Sequence, residues 1–340
     1  DADKALDANK AALRLRPNDP YVLNNMGRVY EMQERYSQAG DYYAQGSDSD
    51  PSTRILAHNA AAAYSKTKED AKTVKYIERA IALGDESPEF MLFLGNLYSK
   101  TGRSQEALKL LEGANEETKG RADYWFNVGI LREKLGQKDG AEEAYRKCLA
   151  IKPDDIDANT NLALILANKG RWQEATPILE SVMGTNPSSL DAKLNVATAY
   201  YETGRLKDAL ALWNEVLAKA PNRTDVRLNV ANVQWQLKDF DLAYKNYVQA
   251  YKDRPNDAQA MNGMGLWNLR QSQNQEAVKM FRGAIASDSK YMPAYNNLAV
   301  ALERLNKKSE AIAVLEKALS IEPNFEDARN NLKRMKSGTN

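Results

Sequence analysis

The sequence predicts an all-α fold, a solenoid of antiparallel helix pairs, and two observations support this prediction. First, the stretch from Ile156 to Asp191 carries two amphipathic segments, which are separated by Gly170 and closed by Pro187. Second, the same residue types recur 34 positions further on. The first set is Asn161, Leu162, Ala163, Gly170, Ala175 and Pro187, and the second is Asn195, Val196, Ala197, Gly204, Ala209 and Pro221. A fixed period of about 20–50 residues is typical of repeat proteins, whose units stack on their neighbours.

The repeat period divides the whole 340-residue chain. Residues 1–19 are predicted to form a half repeat, with the second helix only. Residues 20–325 hold nine 34-residue repeats, which start at residues 20, 54, 88, 122, 156, 190, 224, 258 and 292. Residues 326–340 are predicted to form a C-terminal capping helix and tail. The half repeat and the missing initiator Met predict that the native chain extends before Asp1, or that this end contacts another molecule.

Three kinds of position justify each predicted helix pair. With the repeat start as position 1, position 8 is always Gly or Ala and position 20 is Ala or, once, Thr73, so the two helices can approach closely. Position 24 is large: Tyr43, Ile77, Leu111, Tyr145, Leu179, Trp213, Tyr247, Phe281 and Leu315. Prolines end most second helices, since proline cannot continue a helix interior. They are Pro17, Pro51, Pro153, Pro187, Pro221, Pro255 and Pro323.

Two junctions between repeats lack this closing proline. The junction from Glu112 to Arg121 is mostly polar, and the junction from Ser287 to Pro293 carries a displaced proline. Each is open to two interpretations. One is a bend with looser packing between repeats, and the other is a surface loop in which polar residues replace proline.

The period, the small positions and the prolines resemble those of the tetratricopeptide repeat (TPR) family over nine units. Within that family, the segments 157–163 (DANTNLA), 191–197 (DAKLNVA) and 293–299 (PAYNNLA) are similar to the superhelical repeats of O-linked N-acetylglucosamine transferase. The resemblance implies a right-handed superhelix in which first helices line a concave groove and second helices face outward. It also implies a protein-binding scaffold.

Asparagine dominates position 6 of the first helices, which the resemblance places in the groove. We call these residues the asparagine column: Asn25, Asn59, Phe93, Asn127, Asn161, Asn195, Asn229, Gly263, Asn297 and, in the closing helix, Asn331. A primary amide is both donor and acceptor, so one side chain can bond both main-chain groups of a passing peptide residue. The similar transferase is known for such an asparagine ladder. The alternative is that these amides only satisfy local backbone groups or solvate the surface.

Carboxylates and aromatic residues accompany the column in the predicted peptide-binding site. Position 2 holds Asp123, Asp157, Asp191 and Asp225, which could accept hydrogen bonds from Ser or Thr hydroxyls or pair with Lys or Arg. Asp at this position also favours a helix N-terminus in its own right. Phe93 and Trp235 could anchor an apolar side chain of the ligand, or could belong to the core.

Composition and motifs argue against several function classes. The net charge of +1 gives no basic excess for nucleic acid or an anionic membrane, and no apolar run is long enough to cross a bilayer. His58 and Cys148 lie in different repeats, so no metal set or Cys–His pair is evident, and no phosphate loop occurs. We therefore expect no enzyme, no cofactor and no metal.

The single cysteine excludes an intrachain disulfide and fits a reducing compartment such as the cytoplasm, without excluding an oxidising one.

Three functions stay open on the sequence alone. The first is a protein–protein interaction scaffold that binds an extended peptide or partner segment in its concave groove. The second is a self-assembly or structural module. The third is the substrate-selecting TPR region of a larger enzyme, as in the similar transferase.

Overall fold

The computed structural model describes residues 2–337, and within that range it contains helices, turns and no strands. The predicted all-α fold of consecutive helix pairs is confirmed. The chain forms two compact units, residues 1–169 and residues 170–340. None of the described helices is both long and apolar enough to span a lipid bilayer.

The first unit contains eleven helices within its described residues. They are α1 Ala2–Leu15, α2 Pro20–Met32, α3 Tyr36–Ser49, α4 Arg54–Ser65, α5 Asp70–Ala82, α6 Pro88–Lys100, α7 Ser104–Glu112, α8 Glu116–Lys119, α9 Ala122–Lys134, α10 Lys138–Ile151 and α11 Ile156–Asn168. Consecutive helices pack against each other from α1 to α7 and from α8 to α11, and α9 also packs on α7.

The second unit contains ten helices up to residue 337. They are α12 Trp172–Thr185, α13 Leu190–Glu202, α14 Leu206–Lys219, α15 Thr224–Gln236, α16 Phe240–Asp253, α17 Ala258–Arg270, α18 Asn274–Ser287, α19 Met292–Arg304, α20 Lys308–Ile321 and α21 Glu326–Ser337. Within each unit, the first helices of successive repeats begin 34 residues apart. In the second unit they begin at residues 190, 224, 258 and 292. Side-chain caps fix several of these starts: Asp257, for example, accepts a hydrogen bond from the Ala260 N–H at 3.0 Å.

Close contact between position 8 and position 24 builds the core of repeats in both units. A Cβ atom on Gly27 would lie 2.5 Å from the Tyr43 ring, and one on Gly129 would lie equally close to Tyr145. In the second unit, Gly265 faces Phe281 in the same way. A larger residue at these positions would overpack the pair, which costs about 1–3 kcal/mol.

The turn inside a helix pair uses a residue with positive φ. Glycine fills this place at Gly102, Gly136 and Gly204, with φ of 80°, 74° and 80°. Four other repeats place a residue with a side chain there: Glu34, Lys238, Ser272 and Asn306, with φ between 58° and 68°. The left-handed conformation costs such residues free energy that glycine avoids.

The junction from Glu112 to Arg121 is more ordered than either interpretation from sequence. A single helical turn, α8, follows α7, and its first free N–H groups are capped by Asn115, which accepts from the Thr118 N–H at 2.9 Å. Ala114 and Thr118 are buried, so the segment packs instead of forming a solvated loop. At the other junction, Pro293 stands in the first turn of α19, where a missing N–H costs nothing.

Candidate functional site

Most of the asparagine column is partly exposed on the first helices. Asn59, Asn127, Asn161, Asn195, Asn229, Asn297 and Asn331 are half-buried, and Asn25 is exposed. The structure thus leaves these amides within reach of a ligand. Their hydrogen bonds divide them into two groups.

Some members of the column are bonded to the first helix of the preceding repeat. Asn59 donates its amide N–H to Oδ1 of Asn24 at 2.9 Å. Asn297 donates to Asn262 at 2.9 Å, and Asn331 donates to Asn296 at 2.7 Å. Each pair spans 35 residues, because position 6 meets position 5 of the repeat before it. These asparagines join neighbouring repeats.

Other members of the column have no such partner. The side chains of Asn25, Asn127, Asn195 and Asn229 make no hydrogen bond to any residue within 2–337. For Asn127 and Asn229 the reason lies at position 5 of the preceding repeat, which offers no amide there, since Leu92 and Leu194 occupy it. Their donors and acceptors are therefore available to a ligand.

Asn161 is intermediate between the two groups. Its amide N–H donates to the Tyr145 hydroxyl oxygen at a long 3.3 Å. Burial and the neighbouring Glu133 raise the pKa of the Tyr145 hydroxyl, which therefore stays protonated and donates to Glu133 at 3.1 Å. The Oδ1 acceptor of Asn161 has no partner among the described residues.

Two places interrupt the column, and packing accounts for both. Phe93 is half-buried and packs against the core of the first unit, which favours the core interpretation of this residue over the anchor interpretation. Gly263 lies where a Cβ atom would be 2.5 Å from the ring of Tyr247.

The carboxylates at position 2 also fall into two groups, according to whether they form an ion pair. Asp123 pairs with Arg121 at 2.8 Å, and Asp225 pairs with Arg223 at 2.7 Å. In both cases the guanidinium holds the pKa of the carboxyl below its usual range. Asp157 and Asp191 are exposed, and the described chain provides no ion pair for either.

Trp235 is half-buried beside a cavity of about 540 Å³ in the second unit. Its ring meets Phe240 edge-on, with centroids 4.8 Å apart, and the Arg270 guanidinium lies 3.8 Å above the Phe240 ring. Asn297 and Arg304 also line this cavity. The aromatic rings of Trp235 and Phe240 thus form an apolar wall of this cavity beside two arginines.

A second, smaller cavity was missed by the sequence analysis, which assigned Trp213 to packing alone. Trp213 is buried, but its indole N–H has no acceptor among the described residues, and it lines a cavity with Asn229. A signal was present in the sequence. Trp213 is the only residue at position 24 with an indole N–H, and a buried Trp usually needs a partner for that group.

The single histidine and the single cysteine both make structural contacts. His58 Nδ1 lies 2.7 Å from Asp85, and Cys148 is fully buried. Across residues 2–337, no three metal-binding side chains come together.

Stacked helix pairs with polar side chains along their first helices define a helical-repeat scaffold. The chain belongs to the tetratricopeptide repeat family. Family models described as tetratricopeptide repeat match residues 91–123, 122–155, 144–176, 166–233, 228–291 and 293–325. TPR repeats support protein–protein interaction, and this chain is a scaffold of that kind.

Similar proteins share only part of their length with this chain. Tetratricopeptide repeat protein 8 of Caenorhabditis elegans is 25% identical over 152 residues, which cover 44% of this chain and 30% of that protein. Anaphase-promoting complex subunit CDC16 of Saccharomyces cerevisiae is 32% identical over 99 residues, covering 27% and 12%. The chain therefore spans less than a third of the length of either relative.

Among solved structures, PilF of Pseudomonas aeruginosa matches with a TM-score of 0.51 at 15% identity. The match covers 63% of this chain and 97% of PilF. At this identity the likeness shows the fold alone.

Proposed function

We propose that the chain is a non-catalytic scaffold that binds an extended segment of a partner protein through main-chain groups, held by the asparagine column. The supporting observation is the division within that column. Asn127, Asn195 and Asn229 have no side-chain partner within the described residues, whereas Asn59, Asn297 and Asn331 are bonded to the preceding repeat. A half-buried amide without a partner gains more from a ligand than one that is already bonded.

The spacing of the repeats suits an extended ligand in each unit. Packed helices lie about 8–10 Å apart, and an extended chain covers about 3.3–3.6 Å per residue, so one repeat spans roughly three ligand residues. Asn127 and Asn161 occupy successive repeats of the first unit, and Asn195 and Asn229 do so in the second. Each of these pairs would hold on the order of six ligand residues.

The carboxylates add a proposed preference for side chains. Asp157 and Asp191 are exposed and unpaired within the described chain, so they can accept from Ser or Thr hydroxyls or pair with Lys or Arg of the ligand. Asp123 and Asp225 are held by Arg121 and Arg223, and they would take part only if those pairs open.

The experiment compares partners captured from the source cell by the parent chain and by paired variants. A peptide from a captured partner is then titrated against each variant. One amide contact contributes a net ~0.5–1.5 kcal/mol, so Asn195→Ala or Asn229→Ala alone should weaken binding about two- to tenfold. The Asn195→Ala/Asn229→Ala double variant should weaken peptide binding by roughly the product of the two single effects, with helicity unchanged. The Asn127→Ala/Asn161→Ala pair tests the first unit in the same way.

Asn297→Ala is the matched control, because its amide is already bonded to Asn262. Asn262 is buried, and losing its donor should destabilise the second unit by about 1–3 kcal/mol while leaving peptide affinity nearly unchanged. Equal affinity of the parent and of both double variants would reject the proposal. A loss of helicity in those variants would show that the asparagines are structural.

A further inference from the structure

A small cavity lies between the first helices of two successive repeats in the second unit. Its volume is about 180 Å³, and it is lined by Thr198, Tyr201 and Glu202 of α13, Trp213 of α14, and Asn229 and Asn232 of α15. A water molecule's share of liquid volume is about 30 Å³, so the cavity has room for a short polar side chain.

The indole N–H of Trp213 is the unusual group in this cavity. The Trp213 side chain is only 2% exposed, and its Nε1 finds no acceptor in the described chain. Tyrosines at the same repeat position each find one. Tyr43 donates to Glu31 at 2.8 Å, Tyr145 to Glu133 at 3.1 Å, and Tyr247 to Asn232 at 2.7 Å. Since a buried donor without an acceptor is costly, the Trp213 indole marks a place where an acceptor is missing.

The neighbouring side chains supply further donors. Asn232 uses its carbonyl oxygen to accept from Tyr247, which leaves its amide N–H₂ without a partner in the described chain. The Tyr201 oxygen accepts from Gln236 at 2.9 Å, so its O–H is left to donate. The amide of Asn229 has no hydrogen-bond partner within residues 2–337. Hydrogen-bond donors therefore predominate around the cavity.

Glu202 is the one charged residue that lines the cavity. It is exposed, and no residue within 2–337 forms an ion pair with it. A ligand carboxylate would meet this like charge, and an alkyl group would leave the indole N–H unpaired. A cation would suit Glu202 but would bring no acceptor. A carboxamide brings both an acceptor for the donors and an N–H₂ for Glu202.

We propose that this cavity binds a carboxamide side chain, glutamine or asparagine, of the partner segment. The carbonyl oxygen accepts from the Trp213 indole N–H and from the Asn229 or Asn232 amide, while the N–H₂ donates to Glu202. The inference rests on the proposed groove binding in that Asn229 serves both. The asparagine column would bind only main-chain groups of the ligand, whereas this cavity would select one ligand side chain.

The test follows the five tryptophan indole N–H signals of the intact chain by nitrogen–proton NMR. Trp213→Phe identifies the Trp213 signal, and phenylalanine is tolerated at this repeat position, as Phe281 shows. The probes are propionamide, propionate and propylamine, which share one chain length. Propionamide should shift the Trp213 signal saturably and leave Trp172 unmoved. Propionate should bind at least about tenfold more weakly, because of Glu202.

Glu202→Gln provides the matched variant, and it should bring propionate to within about threefold of propionamide. No shift of the Trp213 signal up to the solubility limit of propionamide, or equal shifts with propionate, would overturn the proposal. The proposal would also be overturned if propionamide shifted the Trp213 signal equally in the parent and in Glu202→Gln, and if the preference for propionamide over propionate were unchanged in that variant.

These outcomes separate the cavity from the asparagine column. Propionamide carries no peptide main chain, so its effect on Trp213 does not depend on an extended ligand. A partner peptide that binds the parent and the Asn195→Ala/Asn229→Ala variant equally, together with a saturable propionamide shift, would reject only the column. Peptide binding that depends on the column, without a propionamide shift, would reject only the cavity.

Discussion

The ring of Tyr247 fills the space that a side chain on Gly263 would need, since a Cβ atom there would lie 2.5 Å from three ring carbons. The Tyr247 hydroxyl donates to Asn232 at 2.7 Å, which holds the ring in place. Gly263 is the one glycine in the asparagine column. Core packing thus interrupts a surface pattern at this repeat.

Restoring the pattern should therefore harm the fold. We expect Gly263→Asn to destabilise the second unit by about 1–3 kcal/mol, because the tyrosine ring must move out of a packed site. Urea unfolding followed by circular dichroism measures the change. Gly184→Ala is the control. It lies inside α12 with no atom within 4 Å of a Cβ, and should gain about 0.5–1 kcal/mol. Unchanged stability of Gly263→Asn would mean that the Tyr247 ring moves freely.

The left-handed turn residues offer a second prediction. Lys238 is exposed at φ 68°, so Lys238→Gly should stabilise the second unit by about 0.5–1 kcal/mol through relief of the left-handed strain. Asn306→Gly should gain less, because asparagine tolerates this conformation better than lysine does. Thermal unfolding of both variants checks the order. A larger gain at Asn306 than at Lys238 would contradict it.

Acid should weaken the first unit through Asp85. Burial alone would raise the pKa of the Asp85 carboxyl, but hydrogen bonds from Ser87 and His58 outweigh it, and the pKa lies below its usual range. A folded-state pKa below the unfolded value stabilises the fold above the unfolded pKa. This contribution is lost as the pH falls through the folded pKa, in a window below about pH 4.

Asp85→Asn should therefore lower stability at pH 7 and flatten its fall between neutral pH and acid. Urea midpoints across this range measure both effects. Asp70→Asn serves as a control, since Asp70 is exposed in the first turn of α5. Parallel pH curves for the parent and Asp85→Asn would show that this carboxylate does not carry the acid dependence.

Much of the fold is predictable because the signal is repeated. The period alone gives the helix pairs, and the small residues at position 8 indicate which helix faces meet, as at Gly129 and Tyr145. The short helix α8 was not predicted, since four residues are too few to show periodicity. Its cap, Asn115, and its buried Thr118 have meaning only once the neighbouring helices are placed.

The candidate site was predictable as a column of residue types but not as a set of bonds. Asn59 and Asn229 both occupy position 6 of a repeat, yet only Asn59 has a hydrogen-bond partner among the described residues. Position 5 of the preceding repeat is Asn24 for Asn59 but Leu194 for Asn229, and leucine offers no acceptor. That distinction depends on which side chains meet between repeats. The missing acceptor at Trp213 likewise depends on its neighbours, since an indole at position 24 is compatible with a bonded or an unbonded N–H.

The bonds from Asn59 to Asn24 and from Asn297 to Asn262 each reach back one repeat and no further. A gene duplication or deletion of 34 codons would therefore preserve such a bond wherever asparagine recurs at both positions. Any other length change in a first helix would turn the donor away from its acceptor. The chain can consequently lengthen or shorten during evolution in whole repeats, and each step would change the proposed ligand length by about three residues.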